Sequence, residues 1–273
     1  MPTVTIDGTP YPAQVGETIL EVARRNGIWI PTLCYHAALE PYAACRLCVV
    51  EIDRGGWWQV VTSCNYPVRK DLTVRVNSER AIRDRQGVIQ LILARSPDSP
   101  ELRDLAARMG VSSTPYPKVT ESQRNCILCG LCVRVCEERI GASAISLVGR
   151  GVERAVAAPF RMASEDCIGC GACAAICPVG TIVVRFHPTE VEISPFKTRV
   201  KLRRCPHCGE PLASELAARA MAQRGGPTVV EMLEGEVHCS RCKRRELARE
   251  LTATLPTPQG PEPVASGTDG RKG

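Results

Sequence analysis

Hydrophobic and polar positions alternate through Val4-Thr5-Ile6, break at Asp7-Gly8 and resume from Thr9 to Gln14, which predicts two strands joined by a two-residue hairpin turn. The period then changes. Thr18 and Glu21 make a capping box, Ile19, Leu20, Val22 and Ala23 supply an apolar face, and Gly27 closes a helix. Two more strand-like runs, Leu47 to Asp53 and Trp57 to Thr62, lie either side of Gly55-Gly56. Alternation along that hairpin puts one of Trp57 and Trp58 in the core and the other outside. Helical periodicity returns over residues 79–110, carried by Ile82, Val88, Ile89, Leu91 and Ile92 and then by Leu102, Leu105 and Ala106. Ala144 to Val148 followed by Gly149-Arg150-Gly151 predicts an inserted hairpin, and Ala213 to Gln223 predicts a helix. From Pro256 to Gly273 the Pro, Gly and Ser content predicts a disordered tail.

Composition changes this picture through one residue type. All sixteen cysteines fall into four sets of four: Cys34, Cys45, Cys48 and Cys64; Cys126, Cys129, Cys132 and Cys136; Cys167, Cys170, Cys173 and Cys177; and Cys205, Cys208, Cys239 and Cys242. Repeated C-x2-C pairs are poor disulfide geometry and good metal chelates, so the sets read as metal centres and not as a disulfide framework. With 273 residues, clustered cysteines and only 4% aromatics, the chain reads as several small modules whose folding free energy comes partly from metal ligation. The opening Met1-Pro2-Thr3-Val4 has no basic n-region or apolar h-region, and no run of about 18 apolar residues occurs, so a cytoplasmic, reduced setting without a membrane span is expected.

The formal charge of +6 invites a nucleic-acid reading but counts cysteines as neutral thiols. Four thiolate centres at roughly −2 each add about −8 and bring the loaded protein near −2, so the basic balance carries little weight.

In the first set ten residues separate Cys34 from Cys45, two separate Cys45 from Cys48, and fifteen separate Cys48 from Cys64, giving three loop ligands and one distant one. Strand, hairpin, helix and then a cysteine loop describe a β-grasp ferredoxin. The segment Ala43-Ala44-Cys45-Arg46-Leu47-Cys48-Val49-Val50-Glu51 resembles the N-terminal [2Fe-2S] domain of the large iron-sulfur subunit of respiratory complex I and its relatives, with Ala where a Gly often lies. That resemblance implies a further His-ligated [4Fe-4S] cluster between Cys64 and Cys126, where this sequence has neither His nor Cys. The cluster is read as lost, its helices remaining as packing spacers, so two other centres must lie close enough for direct transfer.

Both middle sets are C-x2-C-x2-C-x3-C runs, the second ending Cys177-Pro178. In the bacterial two-cluster pattern the fourth Cys of each run ligates the other cluster. This predicts one [4Fe-4S] on Cys126, Cys129, Cys132 and Cys177 and another on Cys167, Cys170, Cys173 and Cys136. Gly130, Gly169 and Gly171 let the backbone wrap the sulfurs, and Ile127 and Ile168 exclude water. The hairpin inserted between the runs is shared with the complex I relatives, so the resemblance covers about residues 1–186. The large molybdopterin-type domain of those relatives is missing, and the better match is the short electron-transfer (diaphorase) subunit of NAD-linked hydrogenases and formate dehydrogenases.

The last set, Cys205-Pro206-His207-Cys208 and Cys239-Ser240-Arg241-Cys242, favours structural zinc, with rubredoxin-like iron or another cluster as alternatives. His207 and His238 read as bystanders beside four available thiols. The basic flanks Arg203-Arg204 and Lys243-Arg244-Arg245 read as a solvated rim or docking surface.

The expected class is α+β: a β-grasp [2Fe-2S] domain over 1–78, a helical spacer over 79–118, a two-[4Fe-4S] bacterial-ferredoxin-like domain over 119–186, a zinc-ribbon-like module over 187–255 and the tail over 256–273. No Gly-rich dinucleotide fingerprint and no catalytic set outside the cysteines is present, so the chain alone is expected to transform no substrate. Resemblance implies a relay between a flavin-bearing NAD(P)H dehydrogenase subunit and a terminal catalytic subunit of hydrogenase, formate dehydrogenase or electron-bifurcating type. A redox- or iron-sensing protein acting through its zinc ribbon is the competing class.

Overall fold

A computed structural model describes residues 1–119, 125–222 and 237–254. The first module is a five-stranded sheet in the order β2-β1-β5-β3-β4, formed by β1 (Thr3–Ile6), β2 (Thr9–Pro12), β3 (Val49–Asp53), β4 (Trp58–Thr62) and β5 (Leu72–Arg75). β1 and β5 run parallel and the other pairs are antiparallel. Asp7 and Gly8 both take positive φ, as a two-residue turn matched to the strand twist requires. Helix α1 (Ile19–Arg25) crosses the sheet. Its capping box is closed, with Glu21 N bonded to the Thr18 hydroxyl and Thr18 N bonded to Glu21 Oε2 at 2.8 Å. Ile19, Leu20, Val22 and Ala23 pack on Val4, Ile6, Val50, Ile52 and Val74 in one core that also takes in Cys48 and Cys64. Trp57 is exposed, and Trp58 is half-buried with the Arg75 guanidinium 3.8 Å from its ring centroid, so neither tryptophan is a core residue.

The spacer is a helical pair, α2 (Glu79–Arg95) and α3 (Pro100–Arg108), each capped by a serine hydroxyl from Ser78 or Ser99. Their apolar stripes meet residues from both sides: Leu33 and Leu47 of the first module, Ile89, Leu93, Leu102, Ala106 and Val111 of the spacer, and Val179 beyond it form one core. Cys45, Ile127 and Cys177 pack against it. Arg95 Nε donates to Cys126 O at 2.8 Å and Ser96 Oγ to Asn125 O at 3.1 Å, so the end of α2 is tied to the start of the next cysteine run.

Two short helices, α4 (Leu131–Arg134) and α5 (Ala172–Ala175), carry the middle cysteine runs. Between them lies the inserted hairpin, β6 (Ser146–Val148) with β7 (Ala155–Ala157). The chain then forms a four-stranded antiparallel sheet, β8 (Val183–Phe186), β9 (Glu190–Ser194), β10 (Thr198–Arg204) and β11 (Pro211–Ser214), in sequential order. β8, which ends at Phe186, pairs with β9, so one sheet joins the second module to the four-cysteine segment, with a register shift between Leu202 and Arg204. Residues 215–222 are helical, and α6 (Ser240–Thr254) starts directly after Cys239 and carries Cys242. Gln223 and the tail 256–273 lie outside the described residues. Among the described residues no helix is long and apolar enough to cross a membrane.

Leu102 is fully buried where spacer and both cysteine-bearing modules meet. Leu102→Ala is expected to cost about 2–5 kcal/mol, measured as a lower urea midpoint with the loss of helical and cluster absorbance signals in the same transition.

Candidate functional site

Three segments build the first cysteine group. Cys34 follows α1 by way of Leu33, Cys45 and Cys48 sit in the loop that enters β3, and Cys64 lies in the 3-10 turn Ser63–Asn65 after β4. Cys34, Cys48 and Cys64 are each 1% exposed. The thiols pair two by two. Hydrogen bonding to Cys34 holds Cys45 down at about 6, and hydrogen bonding to Cys64 holds Cys48 down at about 7. Cys34 and Cys64, each paired with its anionic neighbour and then buried, are pushed far above the usual thiol range. Backbone amides also converge on sulfur: Cys45 N lies 3.4 Å from Cys34 Sγ, and the Leu47 amide points at Cys45. Ala43 and Arg46 both have positive φ, a conformation uncommon for residues with a Cβ, so this loop is bent where it carries Cys45.

The two middle runs are built alike. Gly130 and Gly171, both left-handed, start α4 and α5, which carry Cys132 and Cys173. α4 passes into a π-helical turn over Val135–Ile140, and this wider turn carries Cys136, whose carbonyl accepts from Ala142 N at 3.1 Å. Burial dominates the thiols of Cys129, Cys132 and Cys173: Cys129 and Cys173 are pushed up to about 12 and Cys132 higher still. The neighbouring charges cross between runs. Cys177 acts on Cys126, Cys129 and Cys132, whereas Cys136 acts on Cys167 and Cys173. Cys126, Cys129, Cys132 and Cys177 line a cavity of about 840 Å³ that Pro195, Phe196 and Lys197 also line. Cys136, Cys167, Cys170 and Cys173 enclose a much smaller space of about 30 Å³.

The first and second groups touch. Cys34, Leu39, Cys129 and Leu131 form one buried apolar group, with Cys45, Ile127, Val135 and Ile176 against it. The ten residues between Cys34 and Cys45 make this contact. Arg134 Nη2 donates to Glu40 O and Nε to Glu138 Oε1, Glu40 N donates to Glu138 Oε2 at 3.2 Å, and Arg139 Nε donates to Ala38 O at 2.5 Å. Tyr42 lays its ring 3.6 Å from where a side chain on Gly130 would begin. The sequence offered the length of this loop but no sign of its partner on α4.

The fourth group is the tightest. Sγ atoms of Cys205, Cys208, Cys239 and Cys242 all lie within 4.8 Å of one another, the only group of three or more metal-ligating side chains so placed among the described residues. Cys208 and Cys239 are 3.6 Å apart. Amides of Cys239, Cys208 and His207 turn toward Cys205 and lower it to about 6. Neither histidine joins the group: His207 is exposed, and His238 Nδ1 lies 3.7 Å from Glu246 Oε2. Ser214 Oγ donates to Ile168 O at 2.5 Å, which fastens β11 to the loop between Cys167 and Cys170.

The two runs differ at the residue before their second cysteine. Leu128 of the first run and Gly169 of the second are both left-handed. A Cβ on Gly169 would lie 2.7 Å from Val191 Cγ1 and 3.3 Å from Val200 Cβ, because β9 and β10 pack directly on this glycine. Close approach of the sheet, added to the positive φ, is what fixes glycine here. Gly169→Ala is expected to destabilise by about 2–4 kcal/mol, combining overpacking with left-handed strain, whereas Leu128→Gly should stay within about 1 kcal/mol of wild type because strain relief offsets lost packing. Thermal loss of cluster absorbance in the two variants measures the difference.

Comparison with known proteins agrees with this geometry. Residues 1–79 match the 2Fe-2S iron-sulfur cluster binding domain family and residues 125–181 the 4Fe-4S dicluster domain family. The chain is 31% identical over 240 residues to an NADH-quinone oxidoreductase subunit of Rhizobium meliloti (strain 1021), covering 79% of this chain and 28% of that protein. It is 32% identical over 241 residues to NADPH-Fe(3+) oxidoreductase subunit alpha of Geobacter sulfurreducens, covering 80% and 28%. NADP-reducing hydrogenase subunit HndD of Solidesulfovibrio fructosivorans is 34% identical over 221 residues, covering 70% and 37%. The chain thus spans between about a quarter and two fifths of the length of these relatives. Among solved structures, NAD+-reducing [NiFe]-hydrogenase in the H2-reduced state matches with a TM-score of 0.52 and 30% identity, over 58% of this chain and 75% of that chain. With its mixed α/β fold and both ferredoxin-type domains, the chain belongs to the family of iron-sulfur subunits of NAD(P)-linked oxidoreductases and hydrogenases.

Proposed function

We propose that this chain relays electrons between a flavin-bearing NAD(P)H dehydrogenase subunit and a terminal catalytic subunit, itself transforming no substrate. The observation that carries the reading is the shared apolar group of Cys34, Cys45 and Cys129, in which two cysteine sets meet with no module between them. Electron transfer requires fixed, short separations and little reorganisation, and a dry, packed junction provides both.

The ligand sets follow from how the thiols group. A [2Fe-2S] centre has two irons, each taking two thiolates, and the pairs Cys34 with Cys45 and Cys48 with Cys64 support one pair per iron. Crossed neighbours support one [4Fe-4S] on Cys126, Cys129, Cys132 and Cys177 and a second on Cys167, Cys170, Cys173 and Cys136. For the last group, Zn–S bonds of about 2.3 Å in a tetrahedron put sulfurs about 3.8 Å apart, and the 3.6 Å between Cys208 and Cys239 fits a structural zinc on Cys205, Cys208, Cys239 and Cys242. We assign 1–78 and 119–186 to the two ferredoxin domains, 79–118 to the spacer and 187–255 to a zinc-ribbon-like module that shares its sheet with the domain before it. All sixteen cysteines are free of disulfides, which fits a cytoplasmic, reducing setting.

Each iron-sulfur centre when bound would supply one-electron redox chemistry, and the chain's part is to position, insulate and tune it. Metal analysis of the purified chain should give about ten iron and one zinc; two zinc with about six iron would overturn the two-[4Fe-4S] assignment. Cys177→Ser should alter the spectrum of the centre held by Cys126, Cys129 and Cys132, and a change confined to the other [4Fe-4S] spectrum counts against crossed ligation.

A further inference from the structure

The inward stripe of α2 reads Ala81, Arg85, Ile89 and Leu93, one residue every turn, and one of the four is a cation. Arg85 is 5% exposed. Its Nε and Nη2 both donate to the Val49 carbonyl, at 2.9 and 2.6 Å, and Val49 is the residue directly after Cys48. A guanidinium forked onto a single carbonyl is hydrogen-bonded, but its charge is not compensated by that bond.

Charged groups nearby do not supply the missing compensation. Glu51, on the same strand β3, is paired with Arg80 at 3.6 Å. Asp7 accepts from Val76 N at 2.8 Å and Asn77 Nδ2 at 3.0 Å, and among the described residues Arg85 has no carboxylate within ion-pairing distance. Burial lowers the Arg85 guanidinium to about 10, and the two charges that act against this are Cys48 and then Asp7. At neutral pH the group is therefore still a cation. An unpaired buried cation is costly, and cores of this size hold one only where a buried anion faces it. The anion here is the thiolate set of Cys34, Cys45, Cys48 and Cys64, three of them 1% exposed.

We infer that Arg85 is the buried counter-charge of the [2Fe-2S] centre, a positioning residue on the spacer that raises the reduction potential of that centre. The inference rests on the ligand assignment proposed above. Reduction adds one electron to the iron-sulfur unit, makes and breaks no bond and requires no proton, so the cofactor with its four thiolates gains one negative charge. A fixed cation in a low-dielectric core attracts the reduced form more than the oxidised form, and the Val49 carbonyl holds that cation beside Cys48 in both. The spacer, which has no ligand of its own between Cys64 and Cys126, thereby acts on the first centre of the relay.

The test is a dithionite titration of the full chain, loaded with iron and sulfide and followed by electron paramagnetic resonance. The unsubstituted chain must first show the signal of a reduced [2Fe-2S] centre, and its absence would defeat the ligand assignment, not the role of Arg85. Given that signal, Arg85→Gln, which keeps hydrogen bonding and removes charge, should retain the spectrum and move the midpoint to more negative potential. Arg85→Lys, which keeps charge and loses the fork, should retain the midpoint. An unmoved midpoint in Arg85→Gln overturns the inference, since a residue that only pins α2 to β3 would change stability alone. If Arg85→Gln does not load iron, Arg85→Lys decides: a midpoint near that of the unsubstituted chain supports the charge effect, and one displaced to the negative side overturns it.

Discussion

Sulfur cannot be buried four at a time as thiolate unless a cation lies among the thiolates, and this constraint organises the whole molecule. Burial drives Cys129, Cys132 and Cys173 strongly upward, so without metal these groups are protonated. Hydrogen-bonded pairing leaves only Cys45 and Cys48 anionic-prone in the first group, again one thiol of each pair. The same positions that form the cores of the modules are thus the positions where metal must enter, and cofactor loading and folding are one equilibrium. Few aromatics are needed where bound metal supplies part of the interior that large side chains otherwise would.

A second consequence is that the modules cannot be independent of one another. The spacer core takes Leu33 and Leu47 from one side and Val179 from the other, with Cys45 and Cys177 against it. Arg134, Glu138 and Arg139 fasten the loop between Cys34 and Cys45 to the helix that carries Cys132 and the turn after it. In a minimal ferredoxin a loop of that length would be an entropic burden. Here it is the docking strap, and its cost is offset by the buried contact of Leu39 with Leu131 and Cys129.

What could be read in the sequence was local or counted. The Asp7-Gly8 turn, the Thr18 and Glu21 capping box and the inserted hairpin each depend on residues a few positions apart, and the cysteine spacing is a chemical signature that tertiary packing does not blur. What could not be read was long-range. Gly169 is a glycine as much because of Val191 and Val200 as because of its φ, and Leu128 at the matching position shows that φ alone does not demand one. The π-helical turn at Cys136 and the pairing of β8 with β9 across residue 186 carry no periodicity of their own. Arg85 lies on the i, i+4 stripe of Ala81, Ile89 and Leu93, but as a cation it carries no apolar signal that would assign it to the core.

Burial of the cysteine groups differs along the chain, and this bears on how the proposed relay would meet other proteins. The first group lies beneath the strap and α4, with three thiols almost wholly covered. In the second module Cys129 and Cys132 are buried but Cys170 is exposed, beside a loop held by Ser214 of β11. The last group repeats the pattern, with Cys208 exposed and the other three buried. A surface sulfur shortens the distance to an approaching redox partner but also admits water, which raises reorganisation and stabilises the more charged, reduced state. In the proposed relay, covering the first group and leaving Cys170 of the third exposed would separate two tasks within one chain. Tuning by fixed internal charge is possible where water is excluded, and exchange with another molecule is easiest where sulfur reaches the surface.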